Sequence, residues 1–232
     1  MPNKVVHFES IGAVTFFRNR RSKSMKISIK PDKSVLVSYP SFVCEDEVFH
    51  FLSKHEDWIR KHQSKMKTQW TNYKSGSELQ TKNHTIRFQQ AAKNHANKSG
   101  NSILVSVQNF DSDESRNFIE KVITEIYRFE ARMLLPSRLK ELAFQNGLNY
   151  NKISIRNNKR NWGSCSSKNN ISLNLQMMKL PDELIDYILL HELVHTKIKN
   201  HSAKFWAKLD ELTNNRAREL ALKVKKYSTY TL

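Results

Sequence analysis

The sequence predicts a mixed α+β fold, in which a small strand-rich N-terminal region precedes a larger region that combines helices with a small sheet. Short runs of β-branched and aromatic residues, separated by polar turns, dominate the first part of the chain. Longer segments with apolar residues at helical spacing dominate the second part. Hydrophobic residues make up 38% of the 232 residues, which is enough to bury a core of domain size.

Three short runs predict N-terminal strands, and one longer segment predicts a helix. Residues 25–30 alternate apolar and polar side chains, as a half-buried strand does. The helix is expected from Glu45 to about Lys67, because apolar residues recur at helical spacing while acidic residues open it and basic residues close it. The predicted strands are Ala13–Phe17, Met25–Ile29 and Val35–Tyr39.

Strands and helices alternate through the remainder of the chain. The longest predicted helix begins at Ser112 and ends near Phe144, with Gly147 as its cap and Pro136 as a point where it could be interrupted. Further strands are expected at Thr85–Gln89, Ile103–Val107, Ile153–Arg156 and Ile171–Leu175, and further helices at 181–191, 202–212 and 216–227. A boundary near residue 110 separates a β-rich region with one helix, residues 1–110, from a second domain, residues 111–232, although the two can pack as one body.

The net charge of +17 predicts an anionic partner, such as nucleic acid, a nucleotide or an acidic protein, although a charged surface also keeps a protein soluble. Seven basic residues and one acidic residue lie between Arg18 and Lys33. Five more basic residues, with no acidic residue among them, lie between Lys152 and Lys168. The positive charge is therefore concentrated in two segments.

Hydropathy and cysteine content exclude several classes of protein. The mean hydropathy is −0.65, and no run approaches the ~20 apolar residues that span a bilayer. The N-terminus has no apolar segment of the kind that a secretory signal carries. Two cysteines, Cys44 and Cys165, are too few for a disulfide scaffold and are expected as free thiols. These features favour a cytoplasmic protein with no membrane partner.

The segment from His191 to His201 points most clearly to chemistry. His191 and His195 are four residues apart, so a helix places both rings on one face, as two ligands of a single Zn²⁺ require. Glu192 lies one step round the helix, where it can reach a metal-activated water as general base without binding the metal. Apolar residues at the same spacing upstream predict that this face is buried, where unpaired polar groups are costly.

His201 is the predicted third metal ligand. It follows His191 by ten residues, which is the spacing of the third histidine in metzincin sites. Asn200 would reverse the chain in a left-handed turn, and Ser202 would cap the next helix. Metzincins place a glycine at the turn, however, and this chain has Ile198 there.

Other ligand sets remain open. A carboxylate from a later helix, Glu211 or Glu219, competes with His201 for the third position. Cys165 competes less well as a fourth ligand, because a catalytic zinc site keeps one position open for water. Without a metal, the histidines would be ordinary polar or core residues of a buried helix.

Four arginines are candidate substrate contacts because each could bind a carboxylate or a phosphate. Arg156 and Arg160 precede the metal-site segment. No acidic residue lies between Asn151 and Leu180. Either could also stabilise an oxyanion, although both could equally belong to a solvated basic face. Arg20 and Arg21 belong to the N-terminal basic cluster, which could follow a phosphate backbone.

The segment Trp162–Cys165 lies between two predicted strands, just ahead of the metal helix. It either lines the substrate cleft, with Ser164 as a further candidate contact, or forms a tight turn in which Gly163 supplies unusual backbone angles. The strand Ile171–Leu175 is either a sheet edge that aligns an extended peptide or a central strand with no free edge.

The chain resembles the YgjP-like metallopeptidase family, which is related to the SprT-like and Wss-like zincins. The resemblance is strongest over about residues 150–210, and the N-terminal hairpin extends it over most of the chain. It implies a zincin-like fold, three histidine ligands and a glutamate base. The residues that carry it are Arg160-Asn161-Trp162-Gly163-Ser164-Cys165, the strand at 171–175, His191-Glu192-x-x-His195, and Asn200-His201-Ser202 followed by Phe205-Trp206.

Three functions are therefore considered. The first is a peptidase that uses one zinc ion and Glu192 to hydrolyse a peptide or protein substrate. The second keeps the same site and hydrolyses a nucleoside triphosphate, with arginines neutralising the phosphates. The third is a protease or binding module that associates with nucleic acid through its basic surface.

Overall fold

The computed structural model describes residues 4–29, 33–65 and 73–229. Six helices and three small sheets in these residues confirm the mixed α+β class. The chain forms two compact units, Met1–Thr71 and Asn72–Leu232. This division lies before residue 110, because strands between residues 78 and 107 share a core with the helices that follow.

The first unit contains a four-stranded sheet and two helices. The strands are β1 (Lys4–Phe8), β2 (Gly12–Arg18), β3 (Lys26–Ile29) and β4 (Val35–Tyr39), and their order in the sheet is β1-β2-β4-β3. The single predicted helix is in fact two, α1 (Glu45–Lys54) and α2 (Glu56–Lys65), and its predicted end at Lys67 lies outside the described residues. The break falls at His55, whose ring Nδ1 lies 2.8 Å from the carbonyl oxygen of Phe51.

The second unit begins with another four-stranded sheet, which packs on a long helix. Its strands are β5 (Glu78–Gln80), β6 (Thr85–Gln90), β7 (His95–Ser99) and β8 (Ser102–Val107), in the order β5-β6-β8-β7. The helix α3 (Asp113–Gln145) runs unbroken through Pro136. It begins where predicted, since the Ser112 hydroxyl accepts the backbone N–H of Ser115 at 3.2 Å, and Gly147 follows its end with a φ of +60°.

A buried carboxyl group ties α3 to the turn between β5 and β6. Glu130 is fully buried, and its Oε1 accepts the Thr81 hydroxyl at 2.5 Å and the Asn83 backbone N–H at 2.9 Å. Its Oε2 accepts the Lys82 backbone N–H at 3.2 Å. The ring Nδ1 of His84, which is also buried, lies 2.8 Å from Oε1. One side chain of the helix therefore accepts hydrogen bonds from two backbone N–H groups and one hydroxyl group of the turn.

The remaining elements surround the candidate site. A three-stranded sheet contains β9 (Ile153–Arg156), β10 (Gly163–Cys165) and β11 (Ile171–Asn174), in the order β10-β11-β9. Of the two alternatives for the strand at 171–175, the central strand is confirmed, because β11 lies between β10 and β9, which form the two edges. A 3₁₀ turn (Leu175–Lys179) leads to the helices α4 (Asp182–Val194), α5 (Ala203–Leu212) and α6 (Ala217–Val224).

The helix α4 is the most buried of these elements. Nine of its thirteen residues are buried, including Leu184, Ile188 and Leu193. They pack in one core with α3 and with the inward residues of β11. None of the helices in the described residues has the length and apolar character needed to cross a membrane.

Candidate metal centre

Three imidazole rings converge at the C-terminal end of α4. The Nε2 atom of His201 lies 3.0 Å from Nε2 of His191 and 3.2 Å from Nε2 of His195. Nitrogen ligands at tetrahedral angles on one zinc ion are about 3.3 Å apart, since each lies 2.0–2.1 Å from the metal. The donor set therefore fits a zinc ion with three protein ligands and one open position.

The chain reverses after α4 by a route other than the predicted one. Asn200 does not have the left-handed conformation expected of it. Instead, the backbone N–H groups of Lys197 and Ile198 both donate to the Val194 carbonyl, which closes tight turns directly after the helix. A carbonyl at this turn, that of Ile198, lies 3.0 Å from His195 Nδ1. Position 198, where metzincins have a glycine, therefore needs none.

The contact with Ile198 also favours the tautomer of His195 that can bind a metal. When Nδ1 donates its hydrogen to a backbone carbonyl, the lone pair of the neutral ring is on Nε2, which is the atom that faces the other two histidines. Burial lowers the pKa of His195, and it lowers the pKa of His191 to about 3 with help from the other two imidazoles. The neutral form that these shifts favour is the form that binds metal ions.

Phe205 packs against all three rings. Its ring centroid lies 4.8 Å from that of His191, 4.5 Å from that of His195 and 4.7 Å from that of His201. The side chain is completely buried in the first turns of α5, which Ser202 precedes as the N-cap residue. One aromatic residue thus packs against all three candidate ligands.

Glu192 directly follows His191 in sequence and has a buried side chain. Its side chain is 5% exposed, and burial raises its pKa to about 8. Its Oε2 atom is buried and has no hydrogen-bond partner among the described residues. A buried carboxyl oxygen without a partner is unfavourable unless a cation, water or substrate completes its environment.

The Glu192 side chain lies against Gly163 on β10. A Cβ atom at position 163 would lie 2.7 Å from both Cγ and Oε1 of Glu192, so only glycine leaves room for the carboxyl group. Gly163 has no positive φ, and the prediction of a tight turn with unusual backbone angles is wrong. Glycine is required here for a close approach between a strand and a helix.

The strand β10 is an edge strand of its sheet and lies next to Glu192, and its Gly163 carbonyl accepts the Asn161 side-chain N–H at 3.1 Å. The Trp162 carbonyl accepts the Asn174 N–H at 2.8 Å, and the Ser166 N–H donates to Asn170 at 2.9 Å. Because hydrogen bonding alternates along an antiparallel pair, the peptide groups of Gly163 and Cys165 face away from β11. The loop before β10 is held by Asn174, whose side chain donates to the carbonyls of Asn158 and Asn161.

The structure places the five predicted substrate contacts on different elements of the chain. Arg156 ends β9, two strands away from β10, and Arg160 is exposed in the loop before β10. Ser164 is exposed, and alternation along β10 turns its side chain away from the face that Gly163 presents to Glu192. Arg20 and Arg21 lie in the turn after β2, in the other compact unit.

The competing ligands do not join the three histidines in the described residues. Glu211 pairs with Lys208 at 2.8 Å, and Glu219 pairs with Arg216 and Lys223. Cys165 is free, and its Sγ lies 3.7 Å from Lys199 Nζ. The same ammonium group donates to the Ser166 carbonyl at 2.8 Å and so ties the turn after α4 to the end of β10.

Tyr187 was not anticipated as part of the site. Its ring centroid lies 6.1 Å from that of His191, one turn earlier on α4. The side chain is buried, and burial raises its pKa to about 12. Its spacing of four residues from His191 was the signal in the sequence, because residues at that spacing share a helix face.

Comparisons with known proteins found a matching family model and similar solved structures. A family model described as YgjP-like, metallopeptidase domain, matches residues 23–226. The crystal structure of the metallopeptidase zymogen jannalysin from Methanocaldococcus jannaschii is 31% identical, with a TM-score of 0.36, and the match covers 40% of this chain and 94% of that one. The zymogen of abylysin from Pyrococcus abyssi is 26% identical, with the same TM-score and the same coverage. No curated protein matches the chain.

Proposed function

The chain belongs to the YgjP-like metallopeptidase family, and from that premise we propose that it is a zinc-dependent peptidase of the zincin type. His191, His195 and His201 hold one zinc ion, and Glu192 is the general base. The observation that carries this proposal is the convergence of three Nε2 atoms at the end of a helix whose Glu192, next to His191 in sequence, has a buried carboxyl oxygen with no hydrogen-bond partner among the described residues.

A zinc ion held at this position supplies a Lewis acid that polarises the peptide carbonyl and makes water acidic near neutral pH. Glu192 accepts a proton from the attacking water on its carboxylate and passes it to the nitrogen of the leaving amine. A nearby positive charge favours the ionised form of a carboxyl group, which opposes the effect of burial on Glu192. The buried setting keeps bulk water away from this proton transfer.

The edge position of β10 supports a peptide as the substrate. An extended peptide can add to such an edge through backbone hydrogen bonds, here to the outward N–H groups of Gly163 and Cys165 and to the Cys165 carbonyl. Because Gly163 contacts Glu192, a peptide paired with this strand passes next to the general base. Arg156, Arg160 and Ser164 remain candidates for contacts farther along such a peptide.

The decisive experiment compares peptides with nucleoside triphosphates as substrates. The protein is freed of metal, reconstituted with one equivalent of Zn²⁺ and assayed against a mixed-sequence peptide library and against the four ribonucleoside triphosphates. We expect peptide cleavage that chelation abolishes and Zn²⁺ restores. Cleavage of triphosphates without cleavage of any peptide would overturn the proposal.

A matched pair of variants tests the role of Glu192. Glu192→Gln should bind Zn²⁺ normally but lose about 10²–10⁴-fold in kcat/KM, the usual contribution of a general base. Glu183→Gln is the control, because Glu183 lies on the same helix in an exposed ion pair with Arg216. Full activity of Glu192→Gln at unchanged zinc content would exclude Glu192 as the base.

A further inference from the structure

Arg218 has a defined position near the candidate metal centre. It lies in the first turn of α6, and its Cζ atom is 3.6 Å from the centroid of the Trp206 ring on α5. The Trp206 ring lies 6.3 Å from the ring of His201. The guanidinium group therefore stacks on an aromatic residue that borders one candidate ligand.

Arg218 takes no part in the ion pairs that its neighbours form in the described residues. No carboxylate in the described residues lies within 4.0 Å of its guanidinium group, although several acidic residues are nearby in sequence. Glu183 and Glu219 pair with Arg216 and Lys223 instead. Asp210 uses its carboxylate to accept the backbone N–H of Ala217 at 3.0 Å.

We propose that Arg218 binds a carboxylate of the substrate and gives the enzyme a preference for peptides that carry one near the scissile bond. This inference rests on the proposed peptidase function. A guanidinium group binds carboxylates with two parallel hydrogen bonds, and stacking on Trp206 holds it in place before the substrate arrives. The carboxylate comes from an acidic side chain or from a free C-terminus.

Four versions of one cleaved peptide distinguish these sources. The peptides carry Glu or Gln near the cleavage site, each with a free or an amidated C-terminus. For one of the two carboxylates, the wild-type enzyme should cleave the peptide that carries it with a kcat/KM about tenfold higher than the peptide that lacks it. This ratio corresponds to one charge-assisted hydrogen bond. The preference should weaken as salt is raised, because Arg218 is exposed.

Two arginine variants assign the preference to Arg218. Arg218→Gln should bring the ratio of acidic to neutral peptide close to one, and Arg218→Lys should leave an intermediate ratio, because lysine cannot form the two parallel bonds. Arg216→Gln removes the same charge two residues away and should keep the wild-type ratio, since Arg216 already pairs with two glutamates. Circular dichroism and zinc content establish that each variant is folded.

The outcomes separate the two proposals. Equal hydrolysis of all four peptides by the wild-type enzyme would overturn the role of Arg218 and leave the peptidase function intact. An equal loss of preference in Arg218→Gln and Arg216→Gln would also overturn it, because that result indicates a diffuse charge effect. Failure to hydrolyse any peptide would overturn the peptidase function and this inference together.

Discussion

The carboxyl group of Glu192 lies against the α-carbon of Gly163, so close that a methyl group there would be 2.7 Å from Oε1. The two residues are far apart in sequence, on a helix and on the edge strand of a sheet. Their contact places the candidate general base beside the backbone edge that a peptide could use.

Gly163→Ala should inactivate the enzyme while leaving it folded and able to bind zinc. The new methyl group would displace the flexible Glu192 side chain and leave the backbone in place, so we expect a loss of at least about 100-fold in kcat/KM. Gly147→Ala is the control. A φ of +60° is strained for alanine, but nothing lies within 4 Å of the added atom. It should lower stability and retain activity. Wild-type activity in Gly163→Ala would contradict the proposed role of Glu192.

His201→Ala should weaken zinc binding by more than about 100-fold, because loss of a direct ligand costs more than loss of a residue that only supports one. Competition with a chromogenic chelator measures the affinity. The matched variant His95→Ala removes an exposed histidine on β7 and should bind zinc as the wild type does. Equal affinities in the two variants would exclude His201 as a ligand.

Phe205→Leu should lower zinc affinity by about 10–100-fold, although Phe205 offers no ligand atom. The smaller side chain leaves the three imidazole rings without a common support, so each can rotate away from the metal. Phe144→Leu, which alters a side chain that is 90% exposed, should have no effect. The visible absorption spectrum of the Co²⁺-substituted protein should report the change in geometry, and an unaltered spectrum would count against this role.

Glu130→Gln should destabilise the second unit by about 2–3 kcal/mol, because an amide nitrogen replaces one carboxyl oxygen and leaves a buried donor of the turn unpaired. The amide replaces part of a carboxyl group that accepts hydrogen bonds throughout the Thr81–His84 turn. Glu125→Gln is the control, since its ion pair with Arg128 is exposed and is worth at most about 1 kcal/mol. Urea denaturation followed by circular dichroism measures both. A difference below about 1 kcal/mol between them would contradict the prediction.

The parts of the site that depend on local spacing could be predicted from the sequence. His191 and His195 share a helix face because they are four residues apart, and no distant contact is needed to establish this. The same holds for the start of α3 at Ser112 and for its end before Gly147, since both caps involve neighbouring residues. The sequence also predicted the mixed α+β class from hydrophobic periodicity alone.

The parts that depend on distant contacts could not be predicted. The reason for glycine at position 163 is a side chain on α4, and strand order alone decides that β10 forms the edge. Arg218 gave no signal, because a basic residue on a short helix is usually solvated. The turn after α4 was predicted from the preference of Asn200 for left-handed backbone, but hydrogen bonds to Val194 reverse the chain earlier.

The turn that follows α4 has a consequence for the mobility of the protein. An ion held by His191, His195 and His201 acts as a cross-link that closes the short loop between the helix and α5, much as a disulfide would. Chelation opens that cross-link without breaking a covalent bond, so the loop can unfold locally while the core remains folded. Hydrogen exchange at the amides of Lys197 and Ile198 would then measure how fully the enzyme is loaded with metal.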